Sequence, residues 1–284
     1  VPSSQIDVEF LNTFLSSRSR VLAAVLKLGF VALFTTICIL ASCIVVHDHC
    51  FRSHLISYYN ANGEKIFLVP MGIDLSDSAS HFKGDGKWTE RLQGHKVVLH
   101  FGYLVRRKGI EYLIEAFEQV AKKHPDYVLV LAGGELPSQR GYVGDLKKMI
   151  VEKDLVRNVV LAGFVSVEEM HELFDICQFA VFPYVYSISS SLPLSLAIGH
   201  SKPIIATDIG AFHEELSNGE DSLLVPPRDS PALQHAMETL IEDERIRRGL
   251  LTGIKVKAAE RPWVSVAQRT CKLYLDLLEK KQND

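Results

Sequence analysis

Residues 179–208 read FAVFPYVYSISSSLPLSLAIGHSKPIIATD, which divides into a strand, a polar loop, a helix start and a second strand. The apolar runs 179–182, ended by Pro183, and 203–206 have the continuous hydrophobic character of strands buried on both faces of a parallel sheet. Between them Ser187, Ser189, Ser190 and Ser191 precede Leu192-Pro193, and a helix tolerates proline in its first turn. Such a turn offers unpaired backbone N–H groups and the positive end of a helix dipole, which hold a phosphate without a metal. Taken alone, the stretch reads more simply as an ordinary capped helix of an α/β protein.

Outward from this stretch the chain alternates strand and helix. Strands are expected at 97–101, 128–132, 159–162 and 222–225, and helices at 143–152, 231–242, 245–258 and 264–280. Ile110, Leu113, Ile114, Phe117, Val120 and Ala121 recur on one face of a further helix, and Ser166 with Glu169 forms a capping box for another, which runs to Phe174. This order predicts an α/β fold with a doubly wound, parallel, Rossmann-like sheet. No repeat or low-complexity tract interrupts it.

A second anion signal lies in FGYLVRRKG at 101–109, where a strand ends at Gly102 and a basic cluster stands before a helix. Lys108 is placed to join backbone N–H groups on an anion, although a basic run by itself is usually a solvated loop. Ligands of open α/β sheets bind at the carboxyl ends of strands, so two such loops in one sheet point to a diphosphate. Farther on, Gly210 permits close backbone approach, and Glu214 is either an acceptor for sugar or ribose hydroxyls or an exposed carboxylate without a partner. His171, His200 and His213 are scattered, and no Ser-His-Asp arrangement emerges.

With 284 residues, the chain has room for one large or two ordinary domains. Its net charge of −3 and ordinary aromatic content provide no basic field for nucleic acid. The five cysteines are odd in number and form no CxxC pair, as expected in a reducing compartment. Cys43, His47, His49 and Cys50 have poor spacing for a metal, so no metal site is expected. Residues 21–46 are the most apolar part, with no charge from 28 to 46. Three readings are open: a membrane span, a helix lying on a membrane surface, or a buried helix feeding a strand at 43–46. No secretory signal fits. The chain begins with Val1 rather than Met, as a processed or partial chain does. A strand is expected in KIFLVP at 65–70, a turn at 71–74 and a polar, glycine-containing linker at 76–94.

From residue 97 to its end, the chain resembles the donor-binding domain of family-4 glycosyltransferases, retaining enzymes of the two-Rossmann-domain GT-B fold. The resemblance rests on FGYLVRRKGIEYLIEAF, VLVLAGG, NVVLAGFVS, FPY followed by LPLSLAIGHSKPIIATDIGAFHEEL, and NGEDSLLVPP, taken in order. The segment CIVVHD through KIFLVPMGID looks like the last part of the family's acceptor-binding domain, and Trp263 falls where the family's chain returns to that domain. The resemblance thus implies a partial acceptor-binding domain at 1–75, a linker at 76–94, a nucleotide-sugar domain at 95–262 and a returning helix at 263–284.

It further implies a metal-independent hexosyltransferase that uses a UDP- or GDP-sugar, needs no separate cofactor and retains the anomeric configuration. A glycan or lipid-linked acceptor follows, as in polysaccharide biosynthesis, with the protein cytoplasmic or peripheral on the cytoplasmic face of a membrane. Lys108 and Arg107 are the implied catalytic cations. Gly102, Arg106, Gly163, Phe164, Val165, Ser190, Ser191, Leu192, Gly210 and Glu214 are the implied donor-binding residues. Two departures stand out. Tyr103 replaces the arginine that usually follows the first glycine, and Ile188 and Leu196 occupy positions where many relatives carry glutamates. Those departures admit two alternatives, a non-catalytic nucleotide-sugar-binding protein and a degenerate remnant. The apolar run by itself admits a third, a membrane-anchored structural protein.

Overall fold

The computed structural model describes residues 20–73, 85–186 and 190–283. Its larger part is a six-stranded parallel sheet: β3 (Lys96–Phe101), β4 (Tyr127–Ala132), β5 (Val159–Gly163), β6 (Cys177–Phe182), β7 (Ile204–Thr207) and β8 (Ser222–Val225), in the order β5-β4-β3-β6-β7-β8. Every residue of β4 and β7 is buried, as strands covered by helices on both faces require. One core layer joins the sheet to α4 (Ile110–Lys123), α5 (Tyr142–Glu152) and α9 (Ser230–Glu242). The opposite layer packs α3 (Lys87–Arg91), α6 (Val167–Ile176), α7 (Leu192–Gly199), α8 (Gly210–Glu215) and α10 (Glu244–Glu260).

Sequence patterns account for these elements directly. The apolar face of α4 buries Ile110, Leu113, Ile114, Phe117, Val120 and Ala121, the set that its spacing predicts. Ser166 and Glu169 form the capping box at the start of α6, with the Glu169 N–H donating to Ser166 Oγ at 3.2 Å and the Ser166 N–H donating to Glu169 Oε2 at 2.9 Å. Because β3 and β6 are neighbours while their onward connections run to opposite sides, a crevice opens at their carboxyl ends.

The N-terminal part is a smaller unit. α1 (Arg20–Leu40) leads to β1 (Ile44–Val46), α2 (His49–Tyr59) and β2 (Ile66–Leu68), and the two strands pair in parallel around Cys38, Val46, Leu55, Tyr59, Ala61 and Ile66. The uncharged run 28–46 is therefore divided between a helix and a strand. Among the described residues, no helix is long and apolar enough to cross a membrane. Just before α11 (Trp263–Asn283), the Ile73 N–H donates to the Arg261 carbonyl at 2.8 Å.

Within the expected linker 76–94, residues 76–84 lie outside the described residues, as do Asp74, Ser187, Ile188 and Ser189. The rest of that linker is not all loop. Lys87–Arg91 forms α3, because Trp88 inserts its ring into the core at 1% exposure. The Thr89 N–H and hydroxyl both donate to Glu172 Oε1, at 2.8 and 2.9 Å, fastening α3 to α6.

Candidate functional site: an anion cavity at the β3–β6 crevice

Lys108 ends a short 3-10 turn that follows β3, and the next residue closes that turn. Gly109 has φ +62°, and a Cβ there would fall 2.2 Å from the Pro183 carbonyl oxygen, so the chain can pass only as glycine. The turn carries Lys108 inward to 5% exposure. Its ammonium stands 5.1 Å from the Tyr184 ring centroid, a cation–π arrangement, and against the Cα of Gly102. Among the described residues no carboxylate or hydrogen-bond acceptor pairs with this ammonium. Burial first, and the Arg107 charge second, push its pKa down to about 7.

Lys108 lines a cavity of about 380 Å³ with Phe101, Gly102, Tyr103, Arg107, Gly133, Gly134, Phe164, Val165, Tyr184, Ser190, Ser191, Leu192 and Pro193. This lining holds two cations and no carboxylate. Close to Gly102, α7 begins with Pro193 in its first turn and no side-chain cap. The N–H groups of Ser191 and Leu192 have no acceptor among the described residues, so the helix start faces the cavity as an open anion site.

The walls are fixed from behind. Tyr184 OH meets Ser191 Oγ at 3.2 Å, and burial pushes the phenol pKa up to about 12, keeping it neutral. Thr207 Oγ1 donates to the Tyr184 carbonyl at 2.6 Å. In the strand below, His100 Nδ1 donates to the Val181 carbonyl at 2.9 Å. Burial and the Lys108 charge lower the His100 pKa to about 3, so this imidazole adds no charge to the floor.

Eight of the sequence-predicted residues meet here: Lys108, Arg107, Gly102, Phe164, Val165, Ser190, Ser191 and Leu192. Four others lie outside the lining. Arg106 turns the opposite way from Arg107; its guanidinium pairs with Asp145 Oδ2 at 2.7 Å and lies 4.8 Å from the Tyr142 ring centroid. Gly163 contributes its carbonyl to the Gly133 N–H at 2.8 Å. Gly210 begins α8, and Glu214 Oε2 accepts the His49 N–H at 2.8 Å, in contact with the N-terminal unit rather than with the cavity. Gly133, Gly134 and Tyr184 line the cavity without having been singled out, although the glycine pair after β4 and the FPY triplet after β6 mark the same sheet edge.

The histidines serve elsewhere. His171 Nδ1 and His200 Nε2 are 2.9 Å apart in the core, His200 Nδ1 pairs with Asp175 at 2.9 Å, and His213 Nδ1 with Asp208 at 2.6 Å. Asp48, Cys50 and Glu214 bring ligand-type atoms within 4.8 Å of one another, but both carboxylates already accept backbone N–H groups.

Comparison with known proteins bears on the family and the fold. The family model described as "Glycosyl transferases group 1" matches residues 95–243. An uncharacterized glycosyltransferase of Methanocaldococcus jannaschii is 22% identical over 238 residues, 80% of this chain and 58% of that protein. The alpha-D-kanosaminyltransferase of Streptomyces kanamyceticus is 28% identical over 156 residues, covering 55% of this chain and 39% of its own length. The chain thus spans about half the length of the curated relatives it matches. Among solved structures, Anabaena HepE in complex with UDP superposes with a TM-score of 0.74 at 21% identity, over 83% of this chain and 64% of that one. Sucrose-phosphate synthase from Thermosynechococcus elongatus gives 0.75 at 22% identity, over 96% and 66%. These likenesses show a shared GT-B fold, and with the family match over more than half of its residues, the chain belongs to the group 1 glycosyltransferases.

Proposed function

We propose that the cavity binds the diphosphate of a UDP- or GDP-sugar and that the protein transfers its hexosyl group to a glycan or lipid-linked acceptor with retention of configuration. One observation carries this reading: Lys108, a buried ammonium with no counter-ion among the described residues, lines the same cavity as the uncapped start of α7, and that lining holds no carboxylate. As the bond between the anomeric carbon and the phosphate oxygen breaks, its electron pair passes to that oxygen. Lys108, Arg107 and the Ser191 and Leu192 N–H groups stabilise the developing charge, and the acceptor oxygen bonds to the anomeric carbon as its proton passes to the departing phosphate oxygen. This cationic lining supplies the positive charge that a metal supplies in other transferases, and the reading calls for no separate cofactor. The exposed Phe164 and the buried Val165 also line the cavity, and this is where the reading puts the base. The HepE structures with UDP and with UDP-glucose support a nucleotide-sugar ligand, and a relative named phosphatidyl-myo-inositol mannosyltransferase supports a lipid-linked acceptor. The exposed Leu28, Leu33, Ile37 and Leu40 of α1 suit work at the cytoplasmic face of a membrane.

The test is Lys108→Ala, assayed for UDP and GDP binding by calorimetry and for donor turnover in the presence of glycan and lipid-linked acceptors. Loss of both is expected. Undiminished binding would remove the diphosphate clamp. The second reading, binding without transfer, draws on Leu196, an aliphatic residue packed against the core where many relatives carry a glutamate. Tight donor binding with no turnover for any acceptor would favour it.

A further inference from the structure

Ser190 is held from outside the six-stranded half. Asp48, only 7% exposed, precedes α2 and caps it, with the Phe51 N–H donating to Oδ1 at 2.7 Å. Its other oxygen reaches across the seam. Asp48 Oδ2 accepts from the Ser190 N–H at 2.9 Å and from Ser190 Oγ at 3.3 Å. Next to it, the His49 N–H donates to Glu214 Oε2 at 2.8 Å, so the start of α2 is bound to the larger half by two carboxylates, one from each side.

A cap needs one carboxylate oxygen. The second is buried and committed to a residue of the cavity wall, immediately before the open N–H groups of Ser191 and Leu192. An amide bound to a buried carboxylate is withdrawn from competition for the diphosphate, and its geometry fixes the direction of the next two. Charge-assisted bonds of this kind are the stronger class, so they order a loop effectively.

We infer that Asp48 is a positioning residue for the donor cavity: it sets the Ser190 backbone so that Ser191 and Leu192 present their N–H groups to the diphosphate, and it makes that presentation depend on the N-terminal unit. This inference rests on the donor reading above. The experiment compares the unaltered chain with Asp48→Ser, Asp48→Asn, Ser190→Ala and the double variant Asp48→Ser/Ser190→Ala. Hydrogen exchange at single amides, melting temperature and calorimetric titration with UDP and GDP are the readouts. Serine and asparagine both retain an N-cap oxygen, so α2 and the melting temperature are expected to hold. In Asp48→Ser the Ser190 amide is expected to exchange roughly tenfold faster and the diphosphate Kd to rise by roughly tenfold. Ser190→Ala, which keeps the N–H, loses about two- to threefold, and the double variant is no worse than Asp48→Ser, as coupled partners require. Unchanged exchange at Ser190, or faster exchange at Phe51 alone, would leave Asp48 only a helix cap and overturn the inference. Equal Kd values in the unaltered chain and Asp48→Ser would do the same. A chain that binds neither diphosphate would sink the donor reading, and the Ser190 amide still decides whether Asp48 holds the loop.

Discussion

The Cα of Gly102 lies against the ammonium of Lys108 so closely that a Cβ at position 102 would stand 2.1 Å from Nζ. Position 102 also has φ +120°, a backbone conformation that side chains rarely adopt. Gly102→Ala is therefore expected to displace the lysine from the cavity and to weaken diphosphate binding by at least about tenfold, with a stability loss of roughly 1–3 kcal/mol from backbone strain. Calorimetric titration beside a urea melt checks both. An alanine variant that binds as tightly as the parent would show that Lys108 tolerates the shift.

Binding should depend on pH through the same lysine. In the free protein its pKa is lowered to about 7, and a bound diphosphate favours the charged form and so raises it. Below pH 7 both states carry the proton and affinity is full. Above pH 7 the free protein loses the proton and must regain it on binding, so affinity falls as pH rises, by up to about tenfold per unit. An esterified diphosphate such as UDP-glucose is the appropriate probe, since its phosphates do not titrate between pH 6 and 9. A flat profile for the parent, or the same slope in Lys108→Ala, would contradict this assignment.

Neighbouring arginines should behave differently. Arg107 lines the cavity, so Arg107→Ala is expected to weaken UDP binding about three- to tenfold through loss of an electrostatic contact with phosphate. Arg106 is held by Asp145 and Tyr142, and its loss is expected to change Kd less than about twofold, as for most exposed ion pairs. Titration of the two variants side by side decides the matter, and the opposite ranking would reverse which residue faces the ligand.

Trp88 should matter to folding more than its surroundings in sequence suggest. It is buried to 1% exposure between α6 and the sheet, and Trp88→Ala is expected to cost about 3–5 kcal/mol, read from the shift of a denaturant midpoint. A shift below about 1 kcal/mol would mean that the core closes over the gap.

These cases also mark how far local sequence reaches. The sheet strands and their covering helices were legible because buried parallel strands are continuous apolar runs and α4 repeats its apolar positions at helical spacing. Lys108 was legible as a cation ahead of a helix. The division of labour between Arg106 and Arg107 was not, since successive residues of a 3-10 turn point about 120° apart and composition does not say which one turns inward. α3 has only five residues, too short for a period to show, and it is fixed by the Trp88 ring and by the bonds from Thr89 to Glu172. Glu214 and Asp48 were beyond local reading for another reason. Their partners, His49 and Ser190, lie 165 and 142 residues away, and neither pairing leaves a mark on its neighbours in the chain.

The ammonium of Lys108, buried with no counter-ion among the described residues, also ties the protein's durability to the anion that fills its cavity. A charge buried without a counter-ion is a standing cost to the empty fold, and an anion that fills the cavity removes it. Ligand at a hundred times its Kd adds about 2.7 kcal/mol to the unfolding free energy, so the melting temperature should climb with UDP-sugar concentration in a thermal scan, and should not climb in Lys108→Ala. If the cavity holds a nucleotide sugar as proposed, supply of that ligand in a cell would help set how much of the protein escapes proteolysis.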